Sequence, residues 1–143
     1  MTTFVVDASV VVKWLGLFQH ETLAAKAQNL LDHWQQGSLD LLAPDLIWTE
    51  IANAHWRGAR QNRFTPRDAQ ASLASLHSHR LLTVSSESLI DRALEIALSH
   101  GRTAYDSLYV ALAESSHATL ITADEKLANA IGGSFPVRWL GAM

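Results

Sequence analysis

Apolar residues fall along this chain in two alternating rhythms. Short β-branched and aromatic runs occur at 4–6 (FVV), 41–43 (LLA), 81–84 (LLTV), 119–122 (TLIT) and 137–140 (VRWL). Each is too short for a helix and reads as a strand. Between them, apolar positions recur at helical spacing. One such stretch, over 22–36, carries Leu23, Ala27, Leu30, Leu31 and Trp34, with Gly37 as the stop. Ser9 is expected to cap a helix running to about 18, and Pro44-Asp45 to open one over 45–61. Thr65-Pro66-Arg67-Asp68 has a cap, a Pro at the first position and an acid at the third, predicting a helix to about 79. Further helices are expected over 86–100, ended by Gly101, over 104–115, capped by Thr103, and over 124–131, ended by Gly132-Gly133.

Strands alternating with helices predict an α/β fold whose mainly parallel sheet is covered on both faces. With 143 residues and no linker or repeat, the chain reads as one domain over 1–143. No cysteine is present, which excludes a disulfide framework, a zinc ribbon and a thiol nucleophile. The first 16 residues lack a basic leader region, and Asp7 and Lys13 interrupt their apolar run. No stretch approaches the ~18 apolar residues of a membrane span. The expectation is a soluble, cytoplasmic domain. The formal charge of −3 argues against coating nucleic acid by bulk charge, though not against local contact.

Four acids draw attention by position. Asp7 follows the first strand and Asp124 lies two residues past the fourth. Asp106 and Glu50 fall in the first and second turns of helices. Helices that follow strands begin at the carboxyl edge of a parallel sheet, where ligands bind. Acids from four distant segments can therefore meet on one rim. Clustered carboxylates repel unless a cation is present. Hard oxygen donors suit Mg²⁺, with Mn²⁺ as the alternative. Two such ions can activate a water and stabilise both oxygens of a phosphodiester displacement. Each acid also has an ordinary reading. Thr103-x-x-Asp106 is a capping pair, Asp124 an N-cap, Asp7 a turn residue and Glu50 a solvated helix position. Against these, Asp7 and Asp106 sit in apolar surroundings, where an acid is costly unless paired or bound to a cation.

The segments VVDAS (5–9), PDLIWTEIAN (44–53), AYDSLYVALAE (104–114) and LITADEKL (120–127) resemble, in order, the four acidic motifs of PIN-domain ribonucleases. They are most similar to those of VapC toxins. The resemblance implies a three-layer α/β/α fold with about five strands and a metal-dependent endoribonuclease. It further implies a homodimer, neutralised by a VapB-type antitoxin. It carries the metal-binding acids onto Asp7, Glu50, Asp106 and Asp124. Ser9 and Thr122 match hydroxyl positions beside the site, and Asn53 a polar position near Glu50. Two other functions fit the same pattern: RNA processing without an antitoxin, and a non-catalytic binding module.

Among the bases, Arg57 and Arg60 share a helix, three residues apart, and are candidates for contact with RNA or an acidic antitoxin tail. Lys13 and Arg102 lie near motif acids. The histidines at 20, 33, 55, 77, 79, 100 and 117 show no zinc-ligand spacing. Trp48 and Trp56, two turns apart on one helix, predict either core packing or an apolar stripe buried by a partner. With the four motif acids set aside, ten acids face 11 bases. The acidic balance of the chain thus belongs to the proposed site.

Overall fold

A computed structural model describes residues 1–18 and 22–143. His20 lies outside the described residues. Five strands, β1 (Thr2–Val6), β2 (Leu39–Pro44), β3 (Leu82–Val84), β4 (Thr119–Thr122) and β5 (Val137–Trp139), form one parallel sheet in the order β3-β2-β1-β4-β5. Val5 pairs with Leu42 on one side and Leu120 on the other. Val5, Val6, Leu41, Ala43, Leu120 and Ile121 are all buried, as strands covered on both faces require.

Among the described residues, seven α-helices connect them: α1 (Ala8–Val11), α2 (Ala24–Gln35), α3 (Leu46–Arg60), α4 (Pro66–His77), α5 (Ile90–His100), α6 (Ala104–Ser115) and α7 (Glu125–Ile131). Connections running from β1 to β3 carry α1–α4, and those returning to β5 carry α5–α7. Right-handed crossovers put these two sets on opposite faces of the sheet. The three-layer architecture expected from the sequence follows. α6, backed by α5, lies over β1, β2 and β4, and its residues 107–113 are buried. The direction of strand progression reverses at β1, which places the ligand crevice beyond the carboxyl ends of β1 and β4.

Several local signals act as expected. Thr65 Oγ1 accepts from the Asp68 amide (3.1 Å) and Asp68 returns the contact to the Thr65 amide (3.3 Å), a closed capping box. Gly37 (φ +76°) ends α2, with its amide on the Trp34 carbonyl and the Ser38 amide on that of His33.

Strand ends shift by one or two residues, and three helix starts differ for reasons visible in the backbone. The helix expected from 9 to 18 is only the single turn α1 followed by two 3₁₀ turns, Val12–Trp14 and Gly16–Phe18. Its N-cap position is Asp7, and Ser9 is not the cap. The run Val10-Val11-Val12 is β-branched and favours helix weakly. Leu15 is then extended (φ −89°, ψ 137°). α2 begins at Ala24 because Leu23 is left-handed (φ +67°). The helix expected from 86 opens as a 3₁₀ turn, Ser86–Leu89, before α5.

Gly58 lies inside α3, where a β-carbon would overlap the Phe64 ring. That ring packs edge-on to Phe18 at 5.6 Å and beside His55. In an open helix Gly→Ala gains roughly 1 kcal/mol. Gly58→Ala is instead expected to destabilise by about 1–3 kcal/mol through overpacking. Chemical denaturation measures this, and a more stable variant would contradict the packing.

Candidate active site

Asp7 is the first residue past β1, and its amide donates to the Ile121 carbonyl of β4 (3.0 Å). This bond fixes the start of the β1–α1 turn against the neighbouring strand. The Asp7 carboxylate then collects the two nearby hydroxyls. Oδ2 accepts from Ser9 Oγ (2.8 Å) and Thr122 Oγ1 (2.7 Å). Thr122 Oγ1 in turn accepts from the Asp124 amide (3.0 Å), and Ser9 Oγ from the Ala123 amide (3.1 Å). Each hydroxyl has a single hydrogen. With a backbone amide on the acceptor side, that hydrogen points at Asp7. The turns after β1 and β4 are therefore tied together through one carboxylate.

The other acids arrive from the helices. Glu50, in the second turn of α3, accepts from the Tyr109 hydroxyl at 2.6 Å. Asp106, in the first turn of α6, gives its amide to the capping Thr103 Oγ1 (3.1 Å), and its carboxylate receives Arg102 Nη2 at 3.3 Å. The capping reading thus holds for the Asp106 backbone, while its side chain pairs with Arg102. Asp124 caps α7, with Oδ1 accepting from the Leu127 amide (3.2 Å). Asp7, Glu50, Asp106 and Asp124 line one cavity of about 230 Å³, together with Ser9 and Arg57. Among the described residues, no three carboxylate or imidazole side chains stand as a closed ligand cluster. Each acid leans instead on a donor of the chain. The donor set is nonetheless the kind that hard divalent cations select: carboxylates without a thiolate or imidazole among the cavity walls.

Their charges are not balanced. Burial lifts the Asp7 carboxyl above its ordinary range; the Thr122 and Ser9 hydrogen bonds oppose this, and the Asp106 charge adds to it. Burial likewise lifts Glu50, opposed by Tyr109 and reinforced by Asp7 and Asp106. Tyr109 is also pushed up, by burial and by the Asp7 and Glu50 charges, so it stays a hydrogen-bond donor. Asp106 has Arg102 beside it.

Thr122 is fully buried and Ser9 half-buried beside Asp7. Asn53 is exposed one turn beyond Glu50 and is not among the cavity walls. Arg57 and Arg60, neighbours on α3 three residues apart, border two different cavities. Arg57 faces the acidic cavity, whereas Arg60 lies over the Trp56 ring (5.5 Å) in the groove between α3 and α4. Trp56 is exposed there, while Trp48 is half-buried and stacked on His77 at 4.5 Å. Tyr109 escaped the sequence reading. Its signal was present: it lies one turn after Asp106, on the same side of an otherwise apolar helix.

The sequence matches the PIN domain family over residues 4–132. The chain belongs to the PIN-domain family. Among curated PIN relatives, Ribonuclease VapC3 of Pyrobaculum aerophilum is 34% identical over 126 residues, 87% of this chain and 91% of that protein. Exonuclease VapC9 of the same organism is 31% identical over 112 residues, 76% of this chain and 80% of that one. A toxin–antitoxin complex from Klebsiella pneumoniae contains a chain with the same fold, with a TM-score of 0.60 at 18% identity and 96% of both chains covered. Among the described residues of this PIN domain, no helix is long and apolar enough to cross a membrane.

The raised Asp7 carboxyl has a thermodynamic consequence. Its folded pKa lies above the unfolded value, so the native state binds this proton more tightly. The stability it contributes is fully present below the ordinary value of 3.8 and is lost as pH rises through the folded pKa. Asp7→Asn removes the buried charge. In metal-free buffer, its melting temperature relative to wild type is expected to rise between about pH 4 and pH 7. A difference that stays flat or falls over that range would show that the hydroxyl pair fully compensates the charge.

Proposed function

We propose that this PIN domain is a Mg²⁺-dependent endoribonuclease toxin, with Mn²⁺ as a substitute ion, held inactive by a VapB-type antitoxin. One observation carries the reading: four carboxylates from four distant segments line a single cavity at the switch point of the sheet, with Asp7 and Glu50 held above their ordinary range. Asp7 and Asp106 would hold the principal ion. Asp124 would complete that shell or help a second ion, and Glu50 would bind the second ion or orient water. When bound, Mg²⁺ supplies water activation and charge neutralisation at the phosphodiester.

The chain's own groups do the rest. Ser9 and Thr122 hold Asp7 in one rotamer. Tyr109 fixes one oxygen of Glu50. The lifted affinity of Glu50 for a proton suits it to accept one from an attacking water. The curated relative named as a ribonuclease supports RNA as substrate. Likeness to a chain from a toxin–antitoxin complex supports an antitoxin partner. A homodimer fits the exposed apolar stripe of Ile90, Leu94 and Leu98 along α5. The cytoplasm is the compartment in which such a toxin meets RNA.

Cleavage of total RNA and of a circular RNA tests the reading. The wild-type protein is expected to cut both in Mg²⁺ or Mn²⁺ and neither in EDTA; circular RNA offers no end to an exonuclease. Asp7→Asn is expected to abolish cutting while remaining folded. Thr122→Val, which removes one support of Asp7, is expected to cost about 10–100-fold. Full activity of Asp7→Asn, or undiminished cutting in EDTA, would overturn the assignment. Cutting of linear RNA alone would make the protein an exonuclease.

A further inference from the structure

A second cavity, of about 430 Å³, adjoins the acidic one and shares Ser9, Val12, Ala54, Arg57 and Asp124 with it. Its described walls hold more basic than acidic side chains. Beyond the shared walls its described residues add Lys13, Gln61 and Arg63 and no further carboxylate. Lys13 and Arg63 each have interactions of their own within the protein. Arg57 forms no ion pair among the described residues, although four carboxylates line the cavity it borders. Arg57 and Gln61 stand four residues apart at the end of α3, so their side chains project from one face. A guanidinium and an amide on one face are suited to grip an anionic oxygen. Ala54 and Gly58 add no long side chain to the cavity wall.

An RNA strand carries a phosphate on every nucleotide. If one phosphodiester sits over the acids with their cation, the strand must continue to either side. We propose that this larger cavity is a subsite for the nucleotide adjoining the cleaved bond, with Arg57 and Gln61 holding its phosphate. The proposal rests on the nuclease reading above and extends it: the enzyme recognises at least two consecutive phosphates. An acidic peptide is a poorer match. Running through the joined cavities, it would set its carboxylates against Asp7, Glu50, Asp106 and Asp124, whereas an RNA strand alternates between a cation-filled site and a guanidinium.

The test uses hexaribonucleotides that are fully charged or carry one neutral methylphosphonate next to the cleaved bond. For the wild-type protein in Mg²⁺, the neutral linkage on the subsite side is expected to lower kcat/KM about tenfold. In Arg57→Gln the same linkage is expected to cost less than twofold, because the partner is already gone, and Gln61→Ala should fall between. Binding of a 2′-O-methyl hexanucleotide in EDTA gives a readout independent of cleavage. Arg57→Gln is expected to reduce its log–log salt slope by about 0.7, the loss of one phosphate contact on a single strand. An undiminished methylphosphonate penalty and an unchanged salt slope in Arg57→Gln would overturn the subsite. So would a variant that handles RNA normally but no longer binds an acidic peptide, which would assign the cavity to a protein partner. If wild-type protein cuts no RNA in either metal, the nuclease reading fails first, and the two failures are distinguishable.

Discussion

A carboxylate placed where two parallel strands end, and satisfied there by hydroxyls and not by a cationic side chain, governs much of this molecule. Asp7 holds Ser9 and Thr122 at 2.8 and 2.7 Å, and those hydroxyls hold the backbone of the β4–α7 turn. Asp7 and Thr122 are 115 residues apart in sequence, and the bond between them helps join the turns after β1 and β4. A neutral hydroxyl can orient a charge and partly stabilise it, but it does not cancel it. Burial of Glu50 raises its proton affinity first, and the residual charge on Asp7 adds to that rise.

The arrangement sets local stability against chemistry. A salt bridge at Asp7 would settle the charge, yet it would fill the position that the proposed cation needs. The protein instead places Arg102 on Asp106, at the rim, and leaves Asp7 and Glu50 to burial and neutral donors. The rest of the fold tolerates this because it is conventionally packed. The central strands and α6 are buried almost throughout, and each buried Leu or Ile contributes about 1.5–3 kcal/mol. Arg57 extends the same logic outward, giving positive charge to the cavity beside the acids while leaving their floor uncompensated.

Much of this was legible in the sequence. The five strands are apolar runs that period and length separate from helices, and the capping box at Thr65 is a local signal with a local outcome. Asp7 and Asp124 could be placed on one rim because strand ends in a parallel sheet share an edge. What escaped depends on side-chain direction in three dimensions. Ser9 looked like a cap, but Asp7 binds its hydroxyl. Arg57 and Arg60 are neighbours on α3, yet one borders the acids and the other lies over Trp56, which spacing alone does not show. Tyr109 and Glu50 are 59 residues apart, and no periodicity links them. The second cavity is built from α1, α3 and the turns around them, and no single segment announces it.

The central claim is that the acidic cavity is a cation site built around Asp7. Calorimetric titration of Mn²⁺ into the purified protein tests it without reference to any substrate. The account predicts saturable binding to the wild-type protein, displaced by Mg²⁺ and lost in a folded Asp7→Asn variant. Binding of equal strength to both proteins, or none to the wild type, would contradict it.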